Sequence, residues 1–271
     1  MSRPLMAVDG DSLAHRAYHA LPKSIRLNAV VGFTNMLVQL WQAEQPRAVV
    51  VGWDTLEAPT YRHEAFEPYQ SGRVFEESLL EQLGMLPQLV VALGFAAAKA
   101  PGYEADDFLG AAVRDEEARG GTVLVATSDR DMFQLASERT TILAPVRGVS
   151  ELLRIGPAGV RERYGVEPEQ VPDFIALRGD PSDRLPGARG IGPKRAAEIL
   201  REHGTLEAAL AAGRFAAEAE DLRLYRRIAT VDASAPLPSL PDQTPTWTEA
   251  SSLVREWGLG ALADRLAAWS K

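Results

Sequence analysis

The chain has 271 residues, of which 46% are hydrophobic, so it is long enough to build one large domain or two small ones. It contains no cysteine, which excludes disulfides, thiolate metal sites and cysteine nucleophiles, and leaves carboxylates and histidines as the available metal ligands. A net charge of −8 argues against a nucleic-acid partner, unless the acids are gathered at a single site.

Two features of the sequence bear on its location in the cell. No apolar run approaches the roughly 20 residues that a membrane-spanning helix needs. The first nine residues also lack the longer apolar region of a secretory signal. We therefore expect a cytoplasmic protein with no membrane partner.

Three short apolar runs, at residues 5–8, 48–53 and 122–126, predict buried strands. A helical pattern from Asn28 to Trp41 separates the first two, so we expect a parallel α/β sheet. Each run is followed by an acid, and in such sheets ligands bind beyond the carboxyl ends of the strands. An acid at any one of these positions is commonly a turn residue or a helix cap. The recurrence of the acid favours a metal site at one sheet edge, formed by Asp9, Asp54 and Asp129.

The segment after the second strand, residues 61–73, mixes basic and aromatic side chains. Tyr61, Arg62, Tyr69 and Arg73 would suit phosphates and the faces of bases. A solvated loop accounts for the same composition equally well, so this segment alone leaves both interpretations open. A helix-like pattern follows it.

Three carboxylates, Glu104, Asp106 and Asp107, fall within four positions. Like charges this close raise at least one pKa unless a cation compensates, and a divalent metal is the usual compensation. The sequence predicts a helix over residues 108–119. The alternative explanation is therefore that acids are favoured at a helix N-terminus by the helix dipole. The acids at the strand ends favour the metal over this alternative.

A second basic segment lies in the C-terminal third of the chain. Gly190 and Gly192 permit a tight turn, and Pro193 suits the first position of a helix. The free N–H groups of that helix N-terminus, with Lys194 and Arg195 beside them, would bind phosphate without reading the bases.

The tail of the chain is rich in proline over residues 235–246, which predicts an extended connection. An amphipathic helical pattern follows over residues 249–269. We find no internal repeat or low-complexity tract in the sequence.

Six short motifs run over nearly the whole length of the chain. They are Val8-Asp9-Gly10, Tyr61-Arg62-His63-Glu64, Gly102 to Asp107, Ser128-Asp129-Arg130-Asp131, Gly179-Asp180-Pro181-Ser182-Asp183, and Gly190-Ile191-Gly192-Pro193-Lys194. Together they resemble the bacterial and phage 5'-3' exonuclease and flap endonuclease family, which includes the N-terminal nuclease domain of DNA polymerase I. The resemblance implies a PIN-like α/β catalytic core over residues 1–165, with a helical arch above the site. It also implies a C-terminal helical region over residues 166–271, in which a helix-three-turn-helix element binds duplex DNA.

The resemblance further implies two divalent cations, magnesium or manganese, about 4 Å apart, which activate a water and stabilise both oxygens of an in-line displacement. Carried over by position from the family, the first cation would be held by Asp9, Asp54, Glu104 and Asp106. The second would be held by Asp107, Asp129, Asp131, Asp180 and Asp183.

Other roles are implied in the same way. Arg16 and Arg62 match residues that contact the phosphate, where they would stabilise charge in the transition state. The implied DNA contacts are Tyr69, Arg73, Gly190, Ile191, Gly192, Pro193, Lys194 and Arg195. A potassium ion is implied in the turn element, held by the backbone carbonyls of Leu177, Arg178, Pro186, Ala188 and Ile191.

The sequence departs from the family pattern at two positions. The family commonly has lysine, close to the chemistry, where this chain has Gln70. It commonly has asparagine where this chain has Arg184. All nine acids at the metal positions are retained, which argues against a decayed nuclease.

The expected function is that of a structure-specific DNA nuclease, acting on 5' ends and 5' flaps in DNA replication and repair. We expect a monomer whose partners are DNA and, as a further partner, a separate DNA polymerase. Two alternatives stay open, a non-catalytic binder of branched DNA with the same fold and a PIN-like ribonuclease. A binder has little use for nine acids beside a phosphate backbone, since without metal they repel DNA.

Overall fold

The computed structural model describes residues 3–147 and 149–269. Within these residues six strands form one sheet, in the order β3-β2-β1-β4-β5-β6. Strands β1 to β5 run parallel, and β6 is antiparallel to β5. The strands are β1 (Leu5–Asp9), β2 (Ala48–Gly52), β3 (Ala96–Ala98), β4 (Val123–Ala126), β5 (Thr140–Arg147) and β6 (Glu151–Ile155).

Helices cover both faces of the sheet. In chain order they are α1 (Gly10–Ala20), α2 (Asn28–Glu44), α3 (Tyr61–Ala65), α4 (Glu77–Ala92), α5 (Ala105–Ala118), α6 (Pro157–Tyr164), α7 (Val171–Arg178), α8 (Pro193–His203), α9 (Leu206–Ala211), α10 (Ala219–Ala229), α11 (Trp247–Glu256) and α12 (Gly260–Ala268). Two short 3₁₀ turns occupy Asp131–Leu135 and Pro168–Gln170. No helix of the described residues is long and apolar enough to cross a membrane.

The central strands form where the sequence predicts them, because their side chains are apolar on both sides. In β1, Met6 and Val8 pack into one apolar layer, whereas Leu5 and Ala7 pack into the other. The predicted α/β class and the parallel arrangement of β1, β2 and β4 are therefore confirmed. The remaining three strands, β3, β5 and β6, were not predicted. The first has only three residues, and the last lies at the sheet edge with most of its residues exposed.

Each apolar layer contains helices that are far apart in sequence. One face of the sheet packs against α5 to α10, and the other against α1, α2, α4, α11 and α12. The predicted boundary after residue 165 therefore does not separate two hydrophobic cores. The helices α7 to α10 share a core with β1 and β4, and the last two helices return to the opposite layer.

The extended connection predicted over residues 235–246 is confirmed, since no helix or strand forms there. This connection carries the chain from α10 to the opposite layer. The helical pattern of residues 249–269 is divided into α11 and α12, because Gly258 between them has a φ of +77°, which an α-helix cannot include.

Between β2 and α4, the chain forms one short helix, α3, followed by turns over residues 67–72. The next helix, α4, packs against α2 through Leu79, Leu83 and Leu86. The part of the chain that faces the sheet edge is therefore the turn segment, and not a long helix.

Candidate active site

A cavity of about 890 Å³ opens at the carboxyl ends of the parallel strands. The three predicted acids at the strand ends reach it from β1, β2 and β4, as the topology requires. Five further predicted acids reach it from other elements. Together with one acid that was not predicted, the wall holds nine carboxylates: Asp9, Asp11, Asp54, Glu104, Asp106, Asp129, Asp131, Asp180 and Asp183.

Asp9 is fixed by the turn from β1 into α1. It is the last strand residue and the N-cap of the helix, where one carboxylate oxygen accepts the N–H of Ser12 at 2.9 Å. Its other oxygen accepts the hydroxyl of the buried Thr127 at 2.7 Å, which ties the ends of β1 and β4 together. Asp54 follows β2 and accepts the N–H of Ala105 at 2.8 Å, so it is tied to the start of α5.

Glu104 is the N-cap of α5 and is 6% exposed. Both of its oxygens accept hydrogen bonds from hydroxyl groups, one from Thr60 at 2.6 Å and one from Tyr69 at 2.9 Å. These two donors belong to the segment around α3, which therefore holds Glu104 against the cavity.

Asp129 follows β4 and is stabilised by the local turn. Its carboxylate accepts the N–H of Asp131 at 2.8 Å. On the opposite wall, Asp180 accepts the N–H of Ser182 at 2.8 Å and a guanidinium N–H of Arg178 at 3.2 Å. Asp129 and Asp180 are thus each held by hydrogen bonds within their own turn.

The cavity raises the pKa of several of these carboxyls. Burial, together with the charges of Asp54 and Asp129, raises the pKa of Asp9 to about 7. Burial and the charge of Glu104 raise the pKa of Asp54 to about 6. Burial and the charge of Asp129 raise the pKa of Asp183 to about 6. Burial and neighbouring carboxylates also hold the pKa well above its usual range at Asp11, Asp106 and Asp131.

The donor set of the cavity consists of carboxylate oxygens, which suit hard divalent cations such as magnesium and manganese. Bound cations would offset the repulsion that raises these pKa values. Among the described residues, no three histidine or acid side chains are close enough to enclose one ion. The chemistry of the wall therefore fits cations whose coordination is completed by water or by phosphate oxygens.

Asp107 and Arg62 are buried behind the cavity and do not line it. Asp107 was predicted to bind the second cation, but it has no exposed surface and its carboxylate accepts a bidentate pair of bonds from Arg62, at 2.8 and 3.0 Å. It also accepts the N–H groups of Glu104 and Asp232. Arg62, predicted to contact phosphate, is 3% exposed and donates a further bond to the carbonyl of Ile228. Both predictions are corrected, because each charge is satisfied by buried partners.

The other predicted phosphate contact, Arg16, lies outside the cavity as well. Its guanidinium donates to the carbonyl of Val146 on β5 at 2.6 Å. The preceding histidine of the same helix, His15, lines the cavity instead. Tyr69 does line the cavity, but it is 3% exposed and its hydroxyl is committed to Glu104.

Sequence reasoning missed one acid and several cations of the cavity wall. Asp11 is buried in α1 and accepts the backbone N–H of Asp54 at 2.8 Å. Its place two residues after Asp9, in the first turn of a helix that follows a strand, is a signal that could have identified it. The cations on the wall are Arg73, Arg130, Arg163, Arg178 and Lys194, of which three were not predicted to contact DNA or phosphate.

The N-terminus of α8 forms one side of the cavity mouth. Gly192 is the N-cap, Pro193 is the first helical residue, and Gly190 has a φ of +75°, as the predicted turn requires. Pro193 and Lys194 line the cavity, whereas Arg195 pairs with Glu198 at 2.9 Å on the exposed side of the helix.

The carbonyls predicted to hold potassium lie between the end of α7 and the start of α8. The carbonyl of Leu177 accepts the N–H of Ala188 at 2.9 Å, and that of Ala188 accepts the N–H of Ile191 at 3.1 Å. Each carbonyl oxygen has a second lone pair, so these bonds leave room for a cation. The potassium site stays a prediction.

Comparison with sequence families covers most of the chain. Residues 4–165 match the family model described as the N-terminal resolvase-like domain of 5'-3' exonuclease. Residues 166–250 match the model for the C-terminal SAM fold of 5'-3' exonuclease.

Individual relatives are longer proteins. DNA polymerase I of Mycobacterium tuberculosis is 42% identical over 210 residues, which are 74% of this chain and 23% of the relative. The thermostable DNA polymerase I of Thermus thermophilus is 39% identical over 249 residues, which are 86% of this chain and 29% of the relative. The chain thus spans about a quarter of the length of these curated relatives.

Solved structures share the fold at low sequence identity. The 5'-exonuclease of T5, solved with bound zinc, superposes with a TM-score of 0.73 at 20% identity, over 99% of this chain and all of that one. The catalytic core of Rad2, solved with a DNA substrate, superposes with a TM-score of 0.63 at 15% identity, over 98% of this chain and 91% of that one.

Proposed function

Because this chain belongs to the 5'-3' exonuclease family, we propose that it is a metal-dependent nuclease that hydrolyses phosphodiester bonds of DNA at 5' ends and 5' flaps. The proposed setting is DNA replication and repair, with a separate DNA polymerase as a partner. The observation that carries the proposal is the wall of nine carboxylates in one cavity, which faces a helix N-terminus and a set of cations.

The proposed cations are magnesium or manganese, divided between the two groups of acids. Asp9, Asp54, Glu104 and Asp106 would hold the first, and Asp129, Asp131, Asp180 and Asp183 the second. When bound, the two cations would lower the pKa of a water and stabilise both oxygens of the displacement. Asp11, which bonds to the backbone of Asp54, is proposed to hold the first group in position.

The remaining residues of the wall are proposed to handle the DNA backbone. Lys194 and the free N–H groups at the start of α8 would bind a phosphate of the duplex without reading its bases. Arg73, Arg130 and Arg178 are proposed to attract the phosphates near the scissile bond, because they line a wall whose acids would otherwise repel phosphate. Tyr69 is proposed to act through Glu104, since its hydroxyl donates to that carboxylate.

We also propose separate roles for the N-terminal and C-terminal parts of the chain. Residues 1–165 would carry the catalytic core, and residues 166–271 the DNA-binding region with its helix-three-turn-helix element, which comprises α7, α8 and the turns between them. A potassium ion held by the carbonyls of Leu177, Arg178, Pro186, Ala188 and Ile191 would order those turns for contact with the backbone.

Cleavage of a DNA duplex with a labelled 5' flap tests the proposal. In magnesium, we expect release of the flap or of short products from its 5' end. In EDTA, we expect binding without products. On a matched substrate with a 3' flap, the flap should not be released, because the proposed activity acts at 5' ends and 5' flaps.

The same assay separates the two alternative functions. Binding of the 5' flap in magnesium with no product would support a non-catalytic binder of branched DNA. A preference for an RNA flap over a DNA flap of the same sequence would support a PIN-like ribonuclease. Either result would overturn the proposed function.

A further inference from the structure

The side chain of Gln70 connects opposite sides of the cavity. This residue lies in the turn segment between α3 and α4, with a φ of +49°, and it lines the cavity. Its amide nitrogen donates two hydrogen bonds, one to the hydroxyl of Tyr69 at 2.7 Å and one to the carboxylate of Asp183 at 3.0 Å. An amide nitrogen has two N–H donors, so both are used.

The bond to Tyr69 extends to a second carboxylate. The Tyr69 hydroxyl accepts from Gln70 and donates to Glu104 at 2.9 Å. The tyrosine is 3% exposed, so its ring is held by packing and its hydroxyl has little freedom to choose other partners. A continuous chain of hydrogen bonds thus runs from Asp183 through Gln70 and Tyr69 to Glu104.

The two carboxylates at the ends of this chain belong to different groups of acids. Glu104 starts α5, beside the acids at the strand ends, whereas Asp183 lies in the loop after α7 with Asp180. Residues 104 and 183 belong to separate elements. Gln70 bonds directly to Asp183 and, through the buried hydroxyl of Tyr69, to Glu104. These bonds limit how far the two elements can separate.

The amide does this without adding charge. Arg73 also donates to Asp183, at 3.1 Å, but it brings a positive charge that competes with a cation for the same carboxylate. A neutral donor orients the oxygens and leaves their full charge available to a metal.

We propose that Gln70 is a positioning residue that holds Glu104 and Asp183 at a fixed separation, so that the two groups of acids bind divalent cations as a unit. This inference rests on the proposed function, since it assumes that the cavity binds metal. It assigns the role to hydrogen bonds that the neutral amide makes, and not to contact with DNA.

The proposal is tested by measuring Mn²⁺ binding in the absence of DNA. The electron paramagnetic resonance signal of the free ion reports how much Mn²⁺ stays unbound. Gln70→Ala removes both bonds at constant charge. We expect its Mn²⁺ affinity to fall by about tenfold or more, the usual effect of removing a partner of a metal ligand. Its melting temperature without metal should stay close to that of the wild type. Ser71→Ala is the matched control, because Ser71 bonds only to the carbonyl of Pro68 among the described residues, and its isotherm should not change.

Two further variants divide the role into its parts. Tyr69→Phe keeps the buried ring and removes the hydroxyl, and with it the bonds to Gln70 and Glu104, while Gln70 keeps its bond to Asp183; it should therefore also weaken Mn²⁺ binding. Gln70→Lys keeps a donor but adds a charge, so it should weaken Mn²⁺ binding while it tightens binding of a 5'-flap duplex in EDTA.

The outcomes distinguish this inference from the proposed function. A wild-type chain that binds no Mn²⁺ would overturn both. A wild-type chain that binds Mn²⁺, together with a Gln70→Ala isotherm that overlays it, would overturn the positioning role and leave the proposed function standing. A Tyr69→Phe isotherm identical to the wild type would show that Glu104 is not part of the unit, which also overturns the inference.

Discussion

Arg62 and Asp107 form a bidentate ion pair in which both side chains are at least 97% buried, with N–O distances of 2.8 and 3.0 Å. The pair lies behind the acidic wall, where Arg62 also approaches Glu104 at 3.4 Å and donates to the carbonyl of Ile228. It therefore joins α3, the start of α5 and the end of α10, three elements that are far apart in the sequence.

We expect Arg62→Ala to lower the free energy of unfolding by about 3 to 5 kcal/mol, because it leaves the charge of Asp107 buried with no opposite charge beside it. Chemical denaturation measures this loss. Arg161→Ala is the control, since Arg161 forms an exposed pair with Glu167 whose loss should cost about 1 kcal/mol or less. The double variant Arg62→Met with Asp107→Leu should recover much of the stability. Equal stability of Arg62→Ala and the wild type would show that the pair is not a structural element.

The acids of the wall should be needed for cleavage and not for binding. Asp54→Ala and Asp129→Ala are each expected to reduce turnover of a 5' flap by orders of magnitude, because each removes a proposed metal ligand. Affinity for the flap should stay the same or increase, since one charge that repels phosphate is lost.

Asp115→Ala is the matched control for these variants. Asp115 lies on α5 outside the cavity, where it pairs with Arg114, so its removal should leave turnover unchanged. If Asp54→Ala or Asp129→Ala cleaves within a factor of a few of the wild type in magnesium, the assignment of the metal ligands is wrong.

DNA binding through the N-terminus of α8 should not depend on the base sequence of the DNA. Lys194→Ala combined with Arg195→Ala is expected to weaken binding of duplex substrates similarly for all sequences, because the contacts are to the backbone. The slope of log affinity against log salt should decrease by about 1 for each lost phosphate contact. The single variant of Lys194 should account for most of the effect, since Lys194 lines the cavity and Arg195 pairs with Glu198. An unchanged slope in the double variant would place the DNA contact elsewhere.

A cation at position 70 should accelerate the chemical step when metal is saturating. We expect Gln70→Lys to cleave a 5' flap faster than the wild type in single-turnover experiments at high magnesium, because an ammonium group stabilises charge in the transition state. Arg184 offers an alternative source of that charge, since its guanidinium packs against Gly72 in the same turn segment. The comparison therefore includes Arg184→Asn. A Gln70→Lys rate no higher than the wild type, with a strongly impaired Arg184→Asn, would show that Arg184 has taken over the role.

The sequence alone was sufficient for the central architecture and for most of the acidic wall. An apolar run followed within a few residues by an acid is a local pattern, and the parallel sheet brings the ends of such runs to one edge. Eight of the nine acids that the motifs suggested do line the cavity, together with Tyr69, Gln70, Arg73 and Lys194. Local turn chemistry was also readable, as Gly192 and Pro193 show at the start of α8.

Only the tertiary structure decided which charges are satisfied by one another. Asp107 and Asp106 are neighbours in sequence, but Asp106 lines the cavity, whereas Asp107 lies one helical position further round and meets Arg62. The separation of 45 residues between the two partners of that pair leaves no local signal. Arg16 likewise had no local signal for its partner, because it donates to the carbonyl of Val146 on β5, a strand that the sequence did not predict. A sequence pattern reports which residues can carry charge, whereas burial and the nearest opposite charge decide where that charge is used, and these depend on contacts between distant segments.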